Sequence, residues 1–266
     1  MGSTNLQQQT IGNPLFPNVL WSRPEHRSSA GRLAIIGGSS SGFSSVSETF
    51  AAAKQSGAGT IRVILPSVLK RTLDKIWTDS EFAPSNKGGS FAASALSEWL
   101  DLALWSDSVI ISGDLGKSSE TAIVLEHFLN EYPGPLALAK DSLASAISLP
   151  SQLLERHGLT LILEHPVLGH LLREIRYPMS APSNQTIYQF AELLHSLSQS
   201  YPWAIVTEHE QFFFVAFEGD VSATPKANLN LLSAGTAAAV WRMQQPSKTF
   251  AALTSGIYDL ISPNSL

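Results

Sequence analysis

The sequence contains no cysteine, few charged side chains and no run of Lys and Arg. The lack of thiols excludes disulfides, cysteine nucleophiles and cysteine-ligated zinc or iron–sulfur centres. Its 266 residues are 15% charged and 44% hydrophobic, a balance that excludes an extended disordered chain. With 17 basic and 22 acidic residues the formal net charge is −5, and nothing predicts a nucleic-acid partner or an anionic lipid surface.

Long hydrophobic segments are missing too. The longest apolar runs, such as residues 212–217, fall far short of the roughly 18 residues that a membrane span needs. The polar residues 1–9 lack the apolar stretch of a secretory signal. We therefore expect no membrane partner, and the cysteine-free composition fits a cytoplasmic protein.

Apolar strand-like runs alternate with helical patterns along most of the chain. We predict strands at residues 33–36, 60–65, 107–111, 135–139, 159–163, 203–207 and 212–217. Helical patterns cover residues 45–56, 90–104, 119–130, 228–243 and 247–261, with further helices between 140 and 200. Uninterrupted apolar strands separated by helices indicate a mostly parallel sheet covered on both faces.

These patterns predict a three-layer α/β/α fold. Residues 221–223 are expected to pair with the preceding strand, which gives the sheet an antiparallel edge hairpin. Residues 1–30, rich in Gln and Pro, form a loop-rich arm, and residues 31–266 form one domain because no linker interrupts them. In such folds the ligand crevice lies at the carboxyl ends of the strands, where this chain has glycine-rich corners.

Two of these corners carry recognisable spacings. Residues 38–42 read Gly-Ser-Ser-Ser-Gly between a strand and a helix, which fits a nucleophile elbow with Ser40 as nucleophile or a ligand-lining turn. Residues 113–118 resemble the end of a P-loop, but Ile111 stands where that motif needs its first glycine. This corner either offers backbone N–H groups to an anion or is a plain tight turn.

Two further segments carry the pattern of a helix start, and one pair of histidines is considered as a metal site. Residues 45–48 read Ser-Val-Ser-Glu, a capping box that predicts a helix start at Ser45. Residues 233–239 open a later helix with small residues that would let a phosphate approach closely or let the helix pack closely. His165 and His170 are five residues apart and point to different helix faces, so the residues define no metal site.

The framework resembles a known superfamily. Residues 37–39 read Gly-Gly-Ser, residues 51–53 Ala-Ala-Ala and residues 57–59 Gly-Ala-Gly, with Trp-Ser-Arg-Pro at 21–24 as a lead-in. Together they resemble the ribokinase-like superfamily of carbohydrate kinases. More specifically, residues 14–260 resemble the ADP/ATP-dependent NAD(P)H-hydrate dehydratases, which repair hydrated nicotinamide cofactors.

The resemblance implies a set of substrate-binding residues. The family's Gly-Pro-Gly-Leu-Gly corner falls on residues 112–116, its Asp-Ala-Asp-Ala-Leu on 139–143 and its Thr-Pro-His-Pro-Gly-Glu on 163–168, with several changes. By this correspondence Asp141 and His165 are the remaining acid–base candidates. The implied substrate-binding residues are Gly38, Ser39, Ser45, Gly116, Asp141 and His165.

At the positions that correspond to the family's nucleotide site, the charged residues are replaced. The family's Gly-Thr-Gly-Asp falls on residues 235–238, so Gly235, Thr236 and Ala237 would meet the phosphate. Ala238 takes the position of the general base, and Glu208 that of a lysine. The resemblance further implies ADP or ATP with Mg²⁺ as cofactor and a homo-oligomer.

The function predicted from these residues is that of a diverged NAD(P)H-hydrate dehydratase-like protein. It would bind a nucleotide or related small molecule in the crevice, with ATP- or ADP-dependent activity weakened or lost, as in a pseudoenzyme. Two alternatives stay open: a non-enzymatic interaction or regulatory protein on this scaffold, and a serine hydrolase that uses Ser40.

Overall fold

The computed structural model describes residues 6–74, 77 and 80–262. These residues form a ten-stranded sheet with strands β1 Leu6–Gln8, β2 Arg32–Gly37, β3 Thr60–Pro66, β4 Ser80–Ala83, β5 Ser108–Gly113, β6 Leu136–Ala139, β7 Leu159–Leu163, β8 Ala204–His209, β9 Phe212–Phe217 and β10 Asp220–Pro225. The eleven α-helices of the same residues are α1 Pro17–Trp21, α2 Ser44–Gln55, α3 Lys70–Leu73, α4 Leu96–Trp105, α5 Ser119–Glu131, α6 Lys140–Ile147, α7 Pro150–Leu154, α8 His165–Glu174, α9 Ile187–Ser200, α10 Leu231–Gln244 and α11 Thr249–Ile261.

The strand order across the sheet is β1-β10-β9-β8-β7-β6-β5-β2-β3-β4. Neighbouring strands from β8 to β4 pair in parallel, whereas β9 pairs antiparallel with β8 and β10 antiparallel with β9. The mostly parallel sheet and the antiparallel hairpin are therefore confirmed. The hairpin is not at the edge, however, because β1 from the N-terminal arm adds a parallel strand outside β10.

The two faces of the sheet bury two separate apolar clusters. In β2, Ala34 and Ile36 belong to one cluster and Leu33 and Ile35 to the other, because successive side chains of a strand point to opposite faces. Helices α4, α5, α6, α8 and α9 supply residues to the first cluster, and α2, α10 and α11 to the second. The three layers predicted from the sequence are confirmed.

Several element boundaries differ from the predictions. Helix α4 begins at Leu96 rather than at residue 90, and α10 begins at Leu231 rather than at residue 228. Two short strands, β1 and β4, were not expected. No helix within the described ranges is both long and apolar enough to cross a membrane. The division between an arm and a domain at residue 31 stays a prediction.

The ends of strands β2 and β5 leave no room for a side chain between them. A Cβ atom placed on Gly37 would lie 2.6 Å from the carbonyl oxygen of Gly113 and 2.7 Å from Cγ2 of Val46 on α2. The amide of Gly38, at a φ of +87°, then donates to the same Gly113 carbonyl over 3.0 Å. Two glycines thus let α2, β2 and β5 meet at one corner of the crevice.

The substitution Gly37→Ala is predicted to destabilise the fold by about 3 kcal/mol, because the new methyl group meets backbone and cannot be accommodated by a side-chain rotation. Chemical denaturation measures the free energy of unfolding. Gly42→Ala is the matched control, since a Cβ atom on Gly42 has no neighbour within 4 Å. Equal stability of the two variants would contradict this account of the corner.

Candidate functional site

Helix α2 begins at the crevice without a capping side chain of its own. Its N-cap residue is Phe43, which makes no side-chain cap hydrogen bond. Asp114, from the corner after β5, fills this role instead: its Oδ2 accepts from the Ser45 amide at 2.7 Å and from Ser44 Oγ at 3.3 Å. A carboxylate at a helix N terminus is stabilised by the free amides and the helix dipole.

The predicted capping box at residues 45–48 is therefore wrong. The side chain of Ser45 is buried, and its Oγ has no hydrogen-bond partner among the described residues. The carboxylate of Glu48 turns away from its own helix and accepts from Ser233 Oγ on α10 at 3.1 Å. The physical reason is that Asp114, 69 residues further along the chain, occupies the position that a local cap would take.

Asp141 stands beside this corner at the start of α6. A Cβ atom on Gly113 would lie 2.9 Å from Asp141 Oδ1, so the glycine leaves room for the carboxylate. Burial raises the pKa of Asp141, the charge of Asp114 raises it further, and the backbone amide of Gly116 opposes both. The corner therefore holds two neighbouring carboxylates that hydroxyl groups of a ligand could reach.

Around these carboxylates lies a groove of about 740 Å³, which we call the serine groove. It collects the sequence-predicted residues Ser39, Gly116 and Asp141. Its other lining residues are Ser41, Gly42, Ser44, Asp114, Lys117, Ser118, Ser119, Ala122, Ala144, Ser145 and Ser148. Because hydroxyl groups both donate and accept hydrogen bonds, this lining suits a hydroxylated ligand.

His165 packs away from these hydroxyls, at the first position of α8. Its ring stacks on Phe190, with centroids 5.8 Å apart, and on His209, with centroids 5.6 Å apart. Burial lowers the pKa of His165, and the neighbouring His209 lowers it further. The Nε2 atom of His209 lies 2.8 Å from the Gln185 carbonyl. A substrate-binding role for His165 stays a prediction.

A second, smaller cavity of about 200 Å³ lies at the carboxyl ends of β6, β7 and β8. Three carboxylates line it, those of Glu48, Glu164 and Glu208, together with one amine, that of Lys140. Glu208 is also paired with Lys226 at 2.8 Å. We call this space the acidic cavity. The described residues hold no group of three or more His, Asp or Glu side chains arranged to bind a metal ion.

Helix α10 begins at the acidic cavity, at Leu231 and therefore before the small residues 233–239. Its N-cap is Asn230, whose Oδ1 accepts from the Ser233 amide at 2.9 Å. Gly235, Thr236 and Ala237 consequently lie in the second turn, where amides bond within the helix. Thr236, Ala237 and Ala238 are fully buried, and a Cβ atom on Gly235 would meet Ile162 at 2.6 Å. Phosphate binding by residues 235–237 stays a prediction.

Ser40 occupies the tip of the turn after β2. Its Oγ donates to the Gly88 carbonyl at 3.2 Å, and its amide donates to the Gly89 carbonyl at 2.8 Å. Among the described residues no histidine or carboxylate is hydrogen-bonded to Ser40, so the structure provides no base to activate it. Ser40 joins the 86–91 loop to the wall of the serine groove.

Comparison with solved structures identifies the fold as ribokinase-like, as the sequence predicted. A ribokinase-like superfamily protein from Enterococcus faecalis V583 matches with a TM-score of 0.69 at 15% identity, over 96% of this chain and 87% of that one. A hypothetical protein from Streptococcus mutans matches with a TM-score of 0.64 at 14% identity, over 89% and 83%.

An ADP/ATP-dependent NAD(P)H-hydrate dehydratase from Bacillus subtilis, co-crystallised with ATP and Mg²⁺, is also similar, with a TM-score of 0.61 at 13% identity over 92% of this chain and 86% of that one. No protein-family model matches the chain. No curated protein matches it either.

The two carboxylates of the corner are predicted to be coupled. Asp114→Asn should preserve the cap on α2, because an amide oxygen also accepts from the Ser45 amide, while it removes one negative charge. We expect the pKa of Asp141 to fall in this variant, measured by a carbon-detected NMR titration of its carboxyl group. An unchanged Asp141 titration would show that the two charges do not interact.

Proposed function

We propose that this protein binds a small hydroxylated molecule, a nucleotide or a related compound, in the serine groove, and that it lacks nucleotide-dependent dehydratase or kinase activity. The observation that carries the second part is Ala238, which is fully buried in the apolar cluster under α10. The resemblance places the general base at this position.

Without a general base the reaction rate is expected to be lower. General base catalysis contributes typically about 10²- to 10⁴-fold to a rate, and a methyl group cannot accept a proton. Helices α10 and α11 also pack closely here, since a Cβ atom on Gly256 of α11 would lie 3.0 Å from Ala238 Cα. Small residues here support close helix packing rather than an opening toward the crevice.

The acidic cavity does not fit the phosphates of ATP or ADP. Phosphate binding by ribokinase-like proteins needs positive potential where the nucleotide lies, and three carboxylates surround this cavity. Like charges that approach closely in a partly buried site repel each other. Asn230 already accepts a hydrogen bond from the first turn of α10, which further reduces what an anion could gain there.

The serine groove supports the binding part of the proposal. It offers many hydroxyl groups, the carboxylates of Asp114 and Asp141 and the amine of Lys117 along one continuous surface. Carboxylates accept hydrogen bonds from ligand hydroxyls, and serines adapt as donors or acceptors. These groups bind and orient a polar molecule without any step that makes or breaks a covalent bond.

The proposal predicts no dehydration of hydrated NADH in the presence of ADP or ATP with Mg²⁺, measured as recovery of NADH absorbance. The Bacillus subtilis dehydratase serves as the positive control in the same buffer. Robust nucleotide-dependent turnover by this protein would refute the loss of activity. Ester hydrolysis that disappears in Ser40→Ala would instead support the hydrolase alternative.

Thermal shift measurements separate ligand binding from a purely regulatory or interaction role. A shift with nucleotides or sugars that is lost in Asp141→Asn would support the serine groove as the binding site. No shift with any such compound, together with co-purification of a macromolecule, would favour the interaction protein instead.

Restoring a carboxylate at the base position is predicted to destabilise the protein without restoring turnover. Ala238→Asp would bury an unpaired acid in an apolar cluster, at a cost of about 3 kcal/mol at neutral pH. Burial raises the pKa of such an acid above its unfolded value, so the deficit should shrink as pH falls and the acid becomes neutral. Chemical denaturation at several pH values measures the deficit, with Ala238→Asn as the isosteric control.

A further inference from the structure

We propose that the serine groove ends in a phosphate subsite at the N terminus of α5, formed with Lys87, Lys117 and the hydroxyl of Ser90. The ligand it selects is the phosphomonoester of a small polyhydroxylated compound. This inference rests on the proposed ligand-binding function and names the chemical class of the ligand. The proposed subsite is far from α10, whereas the family resemblance implies phosphate binding at α10.

The groove continues past the Asp114–Asp141 corner into a second lobe of about 770 Å³. The two lobes share Ser41, Gly116, Lys117, Ser118 and Ser119. The second lobe adds the 85–90 loop, which carries Lys87 and Ser90, and the first turn of α5. A single elongated ligand can therefore contact both lobes.

Helix α5 presents an uncapped N terminus to this lobe. Its N-cap residue, Ser118, makes no cap hydrogen bond, because its Oγ accepts from Asn86 Nδ2 at 2.7 Å. The one acidic residue of the first turn, Glu120, accepts from the Ala93 amide at 3.2 Å. The first amides of this 13-residue helix are thus available to an anion, unlike those of α2 and α10.

A second observation, independent of the helix, comes from two largely buried serines whose hydroxyls have no partner in the described part of the chain and face the groove. Ser39 and Ser90 are only 3% and 5% exposed, and neither Oγ forms a hydrogen bond within the described ranges. Both line the groove beside Gly116, where a Cβ atom would lie 2.5 Å from Ser90 Oγ and 3.6 Å from Ser39 Oγ. A ligand atom above Gly116 would lie within reach of both hydroxyls, each of which can donate or accept a hydrogen bond.

The two lobes differ in charge: Lys87, Lys117 and Glu120 line the second, whereas Asp114, Asp141 and the shared Lys117 line the first. Lys87 and Lys117 form no ion pair with any described residue, although the chain as a whole is acidic. Asp114 and Asp141 stand at the other end. A phosphate gains charge-assisted hydrogen bonds at the lysine end, and hydroxyl groups donate to carboxylates at the other. This polarity selects a molecule with a phosphate at one end and hydroxyls at the other.

Isothermal titration with ribose 5-phosphate, ribose and inorganic phosphate tests the proposal on the full chain. We expect ribose 5-phosphate to bind more tightly than either fragment. The double variant Lys87→Ala/Lys117→Ala should lower the affinity for ribose 5-phosphate by about 10- to 100-fold and leave the affinity for ribose unchanged. Lys54→Ala, an exposed lysine on α2 outside the groove, is the matched control and should bind as the parent does.

Ser90→Ala should lower the affinity for ribose 5-phosphate several-fold. The protein should stay folded, because the lost hydroxyl makes no hydrogen bond within the described residues. The proposal is overturned if inorganic phosphate binds as tightly as ribose 5-phosphate, or if the double lysine variant binds like the parent. A protein that binds ribose but no phosphomonoester would disprove the subsite and leave the proposed function standing. Nucleotide-dependent turnover would disprove the proposed function and leave the subsite untouched.

Discussion

The carboxylate of Asp114 at the start of α2 determines how the rest of the crevice is charged. Its 2.7 Å contact with the Ser45 amide places an anion at the N terminus of α2, where a ligand phosphate would otherwise be attracted. Burial raises the pKa of Asp141, and the charge of the Asp114 carboxylate raises it further. One side chain thus converts an anion-binding corner into a corner that accepts hydrogen bonds.

The N terminus of α10 is likewise occupied by side chains of the protein itself. Asn230 caps the helix, and Glu48 from α2 reaches across to Ser233. At α5, by contrast, the N-cap residue Ser118 accepts from Asn86 and makes no cap hydrogen bond to the first turn. The fold is similar to that of the Bacillus subtilis dehydratase, and in this chain Lys87 and Lys117 line the crevice beside α5.

The sheet was largely predictable from the sequence because buried parallel strands read as uninterrupted apolar runs, such as the residues of β5 and β7. Strands β1 and β4 carry no such signal, since they are short and lie at the edges. The glycine corners were predictable as well. The cap on α2 was not, because a partner 69 residues away leaves no local pattern. Asn230 was a detectable N-cap signal for α10 that the small-residue pattern of residues 233–239 obscured. Lys87 and Ser90 lie in a loop whose place in the groove only the fold reveals.

The burial of helix α10 is incompatible with an anion site in its second turn. Ten of its fourteen residues are buried, and its neighbours are the sheet, α2 and α11. Gly235 packs against Ile162 and Ala237 against Gly256, so the turn that would hold a phosphate holds neighbouring backbone and side chains instead. A helix apolar on all sides is stabilised by burial, whereas an anion site needs an open, wetted N terminus. The two requirements conflict in one turn of helix. Because α10 packs as a core helix with Ala238 fully buried, the binding that we propose is placed in the serine groove beside α5.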